Sequence, residues 1–392
     1  MSPKISEFAQ STGGSTVVAM RRAADALEAK GMKIVDFGVG EPDFDVPPPV
    51  SEAAIQAIQQ GHGKYVDPAG LPELRAAIVD YERTRHGIKV DSSAIVVTNG
   101  SYGALSTIMR AVLDPGDEVI VIEPFWGPYR QMVKLSGGVP VGAAMPTVEG
   151  RFIVEADRIA AAVTPKTRAI IVNTPWNPTG RVLSRDELVG IADVAEKHDL
   201  WIIADEVYSE LVYEGSEHIS ISSVSLDAAS RTVIATSLSK SFAMTGWRLG
   251  YCIAPEALAP VLTKINHITT RCAASIIQYA AVAAFEHGLP FVEEMRNEYM
   301  ERRNAVARGL NQIEGVICPL PEGTFYALAQ IPGAWGGSKA VADKLLNESG
   351  VILTPGSAYG ASCDHYLRLS FATSLEIIEE GINRLRRALP LS

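Results

Sequence analysis

The chain has 392 residues, 47% of them hydrophobic and 20% charged, with 33 glycines and a formal net charge of −10. At roughly 100–200 residues per domain this length suggests two folding units with a substantial core, and the composition excludes a fibre or a disordered chain. The negative balance argues against a broad polyanion-binding surface, so nucleic acid is not expected as a partner.

Cys252, Cys272, Cys318 and Cys363 lie far apart with no CxxC spacing. They indicate neither a disulfide framework nor a zinc site, and a reducing cytoplasm is expected. The polar start MSPKISEFAQSTGG and the absence of an apolar run of about 18 residues predict no export signal and no membrane span.

In chain order, the first 45 or so residues end in VGEPDFDVPPPV, whose prolines suggest an arm or linker rather than regular structure. From about residue 94 to 254, short β-branched runs alternate with helical patterns, the signature of βαβ units and a largely parallel sheet. The candidate strands are AIVV, EVIVIE, AIIVN, WIIAD, TVIAT and YCIA. Between them, residues 184–199 place Leu188, Ile191, Ala192 and Ala195 at helical spacing, with Ser184 as a cap. After about 290 comes a long charged helix, then strand-like FYALAQI, VILTP and YLRLSF and a closing helix at 375–388. The expected division is 1–45 for an arm with part of a small domain, 46–290 for a large domain, and 291–392 for a small α+β domain.

Open parallel sheets bind ligands beyond the carboxyl ends of their strands. The unusual polar residues collect there. In TVIATSLSKSFAMTGWRLGY, an apolar strand runs into Ser237, Ser239 and Lys240, with Arg248 further on. A partly desolvated lysine near another cation gives up its proton and can form an imine, and hydroxyls with a guanidinium make a phosphate seat. Taken alone, both charges also suit a solvated loop. In WIIADEVY, Asp205 ends a buried strand and Tyr208 follows. A carboxylate there needs a cation, such as a protonated pyridine nitrogen; a helix cap beside a packing tyrosine is the plainer reading.

IVNTPWNPTG carries Asn173 and Asn177 in a proline-stiffened loop, where amides can donate to an anionic ring oxygen or simply close a turn. VTNGSYGAL sets Asn99, Gly100, Ser101 and Tyr102 at a helix amino terminus, which offers free N–H groups to phosphate or is an ordinary strand-to-helix turn. Trp126 in EPFWGPYR is fit to stack on a planar ligand or to fill a core. Arg368 in YLRLSF alternates with apolar residues, and is placed either to grip a carboxylate or to form a surface salt bridge.

The G-x-G-x-x-G, P-loop and G-x-S-x-G strings are missing, and Cys363-x-His365 is read as incidental, so no metal site is expected. In the order GEPDF, KYVDPAGLPELR, NPTG, ADEVY, SLSKSFAMTGWRLGY and YLRLSF, the chain resembles the class I and II aminotransferases of the aspartate-aminotransferase family along nearly its whole length. That resemblance implies an α/β fold of type I: a large domain with a mostly parallel seven-stranded sheet between helices, plus a smaller α+β domain. It implies pyridoxal 5'-phosphate and a homodimer with shared active sites, acting on amino acids and 2-oxo acids by ping-pong transfer.

Residue by residue, Lys240 resembles the Schiff-base lysine and Asp205 the partner of the pyridinium nitrogen. Tyr208 and Asn177 match the groups that bond the ring's phenolic oxygen, and Trp126 the stacking aromatic. Ser101, Tyr102, Ser237, Ser239 and Arg248 match the phosphate cup, with Tyr65 reaching in from the neighbouring subunit. Arg368 and the backbone at Gly40 resemble the α-carboxylate site, with Trp126 and Asn177 also lining the substrate position. Some aspartate-using relatives carry a lysine where Tyr102 stands, and many have a smaller or polar residue at Trp176. Both departures point towards a neutral or aromatic amino acid. On the same fold, a C–S β-lyase or a decarboxylase is the alternative, and a cofactor-sensing regulator is a rival of another class.

Overall fold

The computed structural model describes residues 3–6, 9–10, 13–14 and 16–389. Part of the polar amino terminus and the last residues of the carboxyl-terminal unit lie outside the described residues. Seven strands form the main sheet: β1 (Ile95–Thr98), β2 (Glu118–Glu123), β3 (Val139–Ala144), β4 (Thr167–Asn173), β5 (Trp201–Asp205), β6 (Thr232–Ser237) and β7 (Gly250–Ile253). Their spatial order is β1-β7-β6-β5-β4-β2-β3. β7 runs antiparallel to β1 and β6, and all other pairs are parallel.

Alternation along each strand explains the three layers. Ile120, Ile170, Val172, Ile202, Ile234 and Tyr251 fill a core on one face, while Val119, Val121, Ile171, Ile203, Val233 and Cys252 fill a second core on the other. Successive strand residues point to opposite faces, so a sheet covered by helices on both sides reads as an unbroken apolar run. Each fully buried aliphatic side chain contributes about 1.5–3 kcal/mol.

A third core joins the arm to the carboxyl-terminal part of the chain: Met20, Ala24 and Phe37 pack with Tyr299, Phe325, Phe371 and Ile382. Here β8 (Tyr326–Gln330), β9 (Thr354–Pro355) and β10 (Tyr366–Ser370) form an antiparallel sheet in the order β8-β10-β9. VILTP is divided, since Val351–Ile352 pairs instead with Val35–Asp36 of the arm.

Three features depart from the sequence expectations. The arm contains a helix, Thr16–Glu28, which buries only Met20 and Ala24 and so shows too narrow an apolar stripe to announce itself. The prolines of VPPPV do not forbid structure but start it: Pro48 opens the helix Pro48–Gln59, where a missing N–H costs nothing. β3 was not expected, because VPVGAA is mostly solvent-facing and contains Pro140; at the sheet edge a proline is tolerated.

The helix Arg185–Lys197 begins in a reciprocal cap, with the Ser184 hydroxyl accepting from the Glu187 N–H and the Glu187 carboxylate accepting from the Ser184 N–H. Arg181 fixes the same carboxylate at 2.8 and 3.0 Å. Among the described residues no helix is long and apolar enough to cross a membrane. Removing the cap with Ser184→Ala is expected to lower the unfolding free energy by about 1 kcal/mol, seen as a shifted urea midpoint at unchanged slope.

Candidate active site

β4 and β5 end level, with Asn173 opposite Asp205, and Asp205 lies opposite Ala235 of β6, which runs on two residues further to Ser237. The reversal of β7 sets Gly250 between Thr98 of β1 and Ser237 of β6. Arg248, just before Gly250, therefore arrives at the same carboxyl edge as Gly100, Ser237 and Lys240. Strand direction, more than sequence distance, assembles this group.

Lys240 stands on the short helical turn Leu238–Ser241 that follows β6, and the Ser237 hydroxyl caps that turn by accepting from the Ser239 N–H at 3.4 Å. The Lys240 ammonium donates to the Gly40 carbonyl at 2.5 Å. Burial lowers its pKa to about 8, helped by Arg248 and Arg368 and opposed by Glu41 and Asp205. Asp205 is buried at the end of β5, where Oδ2 accepts from the Tyr129 hydroxyl at 2.5 Å and Oδ1 from the Val207 N–H at 3.3 Å. Burial pushes its pKa up to about 6 against those two hydrogen bonds and the pull of Lys240.

Two guanidiniums complete the electrostatics. Arg248 donates to the Thr245 carbonyl at 2.6 Å and packs against the first residue of the helix Gly100–Val112. Gly100 has a φ of +68°, and a Cβ there would come within 2.5 Å of Arg248 Nη2, so only glycine lets the guanidinium approach the helix amino terminus. Arg368 is 3% exposed. Its Nη1 donates to Asn177 Oδ1 at 3.2 Å and its Nη2 to the Gly38 carbonyl at 3.0 Å, while its Nε has no partner. Tyr326 lies under it, 4.1 Å from the ring centroid. Among the described residues neither arginine pairs with a carboxylate. Burying an unpaired charge is costly, which applies to Arg368; Arg248 is exposed, and together the two cations give the surroundings of Lys240 a positive character suited to anions.

The structure brings most of the expected residues together. Asn177 is tied to its own loop, its N–H donating to Asn173 Oδ1 at 2.8 Å, and its side-chain oxygen is taken by Arg368, which leaves the amide NH₂ as a donor. The Trp126 ring meets Tyr102 at 4.9 Å and Tyr129 at 5.2 Å, both edge-on, and Tyr129 in turn reaches Asp205. Ser101 and Tyr102 open the helix beside Arg248. Tyr65 stands apart, 77% exposed, with the Arg271 guanidinium 5.0 Å from its ring.

Residues 32–385 match the family model for aminotransferase class I and II. An aspartate aminotransferase of Geobacillus stearothermophilus is 37% identical, with 98% of each chain covered. The solved aspartate aminotransferase of Thermus thermophilus with maleate superposes at a TM-score of 0.93 with 37% identity, over 99% of this chain and all of that one. An alanine aminotransferase from Pyrococcus furiosus superposes at 0.92 with 32% identity, over 98% of this chain and 99% of the other. The chain belongs to the class I and II aminotransferases. Membership favours amino-group transfer over the eliminating alternative.

Around these groups this aminotransferase also places residues that the sequence did not single out. Tyr129 touches Asp205, and the Tyr326 hydroxyl lies 3.3 Å from that of Tyr208 while its ring supports Arg368. Tyr359 covers Arg368 at 5.2 Å. None carries a motif; each is a tyrosine within an apolar pattern, and only tertiary packing reveals its hydroxyl. Trp176 corrects an expectation in the other direction. It is buried in the sheet core, its indole N–H donating to the Pro124 carbonyl at 2.6 Å and its ring packing near Phe152, so its polar edge is already engaged within the fold.

With its pKa near 8, Lys240 is expected to react with an acylating reagent in the cofactor-free chain along a pH curve whose midpoint lies near 8, when label at position 240 is followed by mass spectrometry. Glu41→Gln removes a charge that raises this pKa, so the midpoint should move down.

Proposed function

We propose that this aminotransferase uses pyridoxal 5'-phosphate to carry an amino group from an L-amino acid to a 2-oxo acid in a ping-pong sequence, with Lys240 as the residue that holds the cofactor. The observation that carries the reading is a buried amine of lowered proton affinity, set beside a buried carboxylate and flanked by two guanidiniums with no acidic partners.

The donor set fits the group. An aldehyde needs an unprotonated amine, and burial lowers the Lys240 pKa to about 8, which raises the neutral fraction near physiological pH far above that of an ordinary lysine. A pyridine nitrogen needs a buried acid, and Asp205 has only two donors on its carboxylate. A phosphate needs a helix amino terminus and a cation, which Ser101, Tyr102 and Arg248 supply, with Ser237 and Ser239 at the adjoining turn. Arg368, with its partnerless Nε, takes the α-carboxylate together with the backbone at Gly40. The Lys240 contact with Gly40 makes amine and carboxylate sites neighbours.

Pyridoxal phosphate, when bound, supplies a cationic ring that accepts the electron pair released at the amino acid's Cα. Asp205 holds the proton on the ring nitrogen and does not itself react. Tyr208 and Asn177 donate to the ring oxygen, and Trp126 stacks on the ring. With the group bound, Lys240 Nζ would be the base placed to hold the proton of the amino acid's Cα. Arg368 fixes the substrate by its carboxylate, so that the Cα hydrogen faces Lys240. Tyr65 is supplied across the boundary of a homodimer. Its exposure in the single chain supports that assignment. The four cysteines are free thiols, which favours the cytoplasm.

For the donor, the relatives' names point to aspartate and alanine, while the aromatic pair Tyr102–Trp126 suits an uncharged side chain. Bleaching of the visible band across a panel of amino acids reads the choice. Borohydride treatment of the loaded enzyme is expected to fix the cofactor on Lys240, and a pyridoxyl label elsewhere would sink the assignment. Lys240→Ala should lower kcat by at least about 10³-fold. Arg368→Gln should raise KM for the amino acid roughly 10- to 150-fold, the equivalent of a charged hydrogen bond of about 1.5–3 kcal/mol, with a smaller change in kcat.

A further inference from the structure

The segment Asp205–Glu210, DEVYSE, leaves β5 without entering a helix or another strand. Its backbone makes turn and cross-strand bonds, among them Glu206 N–H to the Ala235 carbonyl at 3.0 Å, Ser209 N–H to the Glu206 carbonyl at 3.0 Å, Leu211 N–H to the Tyr208 carbonyl at 2.8 Å and Asn173 Nδ2 to the Asp205 carbonyl at 2.8 Å. Asp205 and Tyr208 belong to the active site. Glu206 and Glu210, on the same few residues, meet a different and equally buried set of partners.

Glu206 accepts from the Ser220 hydroxyl at 2.8 Å and lies 3.2 Å from His218 Nε2. Glu210 accepts from the Tyr81 hydroxyl at 2.6 Å and from Arg85 Nη2 and Nε at 2.7 and 3.2 Å, with His86 Nε2 at 3.4 Å. The two imidazoles meet edge to face at 5.4 Å. A third carboxyl, Glu82 of the helix Pro72–Arg85, accepts from the Tyr251 hydroxyl at 2.5 Å. Burial raises the Glu82 pKa to about 8 and lowers that of His86 to about 4. At neutral pH both are therefore uncharged. Arg85, which also lies 3.8 Å from Glu293, is the cation that answers Glu210.

Two buried carboxylates are a costly way to fill space, because apolar side chains of similar volume would pack there without the desolvation penalty. What carboxylates add is direction: each oxygen fixes a bond length and an angle to a named donor. Here the donors come from a helix and a loop on other parts of the fold, and the held segment is the one bearing Asp205 and Tyr208.

We propose that Glu206 and Glu210 are positioning residues of this aminotransferase: anchored by Ser220, His218, Tyr81 and Arg85, they hold Asp205 and Tyr208 in the placement in which both reach the cofactor. This rests on the reading of Asp205 and Tyr208 as groups that touch the ring.

The test titrates the full cofactor-free chain with pyridoxal phosphate. It records the dissociation constant, the pH at which the visible band changes, and the melting temperature before loading. The wild type reads the cofactor assignment by itself: if no visible band forms, that assignment falls and the positioning role falls with it. With the band present, Glu206→Gln and Glu210→Gln are expected to weaken cofactor binding about tenfold or more, the worth of a charged hydrogen bond. Glu206→Gln should also move the band's midpoint to lower pH, since removing a negative charge near a cationic proton disfavours it. Glu82→Gln, in the same cluster but off the segment, should change the melting temperature and neither other reading. Ser220→Ala removes one tether without stranding a charge, and should weaken binding in the same direction by less. Glutamine variants that melt earlier yet match the wild type in dissociation constant and midpoint would overturn the proposal, as would a Glu82→Gln effect of equal size.

Discussion

Burial of the Lys240 ammonium is the constraint around which the site is arranged. Desolvation weighs on it most, Arg248 and Arg368 push against it, and these effects outweigh Glu41 and Asp205, which favour the charged form. An amine that gives up its proton far more readily than an ordinary lysine follows from that balance. The same burial acts in the opposite sense on Asp205, whose carboxyl is driven towards its neutral form. A cation on the ring nitrogen would restore its charge. Acid and amine are thus both held away from their preferred states in water by one dry environment.

The fold sustains this tension through strand order. Parallel strands deliver Asn173, Asp205 and the lysine turn to one edge, and the single reversed strand brings Arg248 back to meet the helix that starts at Gly100. Arg368 comes from the other sheet, on β10, and bonds both to the Asn177 loop and to the arm at Gly38. One guanidinium therefore links the large sheet, the small sheet and the arm, so a displacement of any of them changes the geometry offered to a carboxylate.

Much of this was legible in the sequence because two signals coincide. Apolar runs buried on both faces mark the parallel strands, and polar residues placed just after such runs have little structural reason to be there. Lys240, Asp205 and Asn177 stand in that position, and Arg248 was legible from its place beyond Lys240 in the same segment, just before β7. Arg368 was visible for a related reason, as a charge inside an alternating strand. Tyr129 and Tyr326 were not, because a tyrosine in an apolar pattern looks the same whether its hydroxyl meets a carboxylate or solvent. Trp176 shows the converse: its place in a motif loop suggests a ligand contact, yet its indole closes a core bond to Pro124. β3 and the helix Thr16–Glu28 were hidden because each buries too little to leave a periodic trace.

Among the described residues Arg368 and Arg248 have no carboxylates against them, and Arg368, the buried one of the two, carries its desolvation without an internal counter-charge. Any ligand that binds the folded state alone stabilises it by mass action, and the increment is larger where unpaired buried charges are neutralised. Internal acids at the same sites would leave these guanidiniums no free charge to offer an anion. The instability of this edge is therefore the source of its binding energy, and the packed cores on both faces of the sheet are what allow the chain to sustain it.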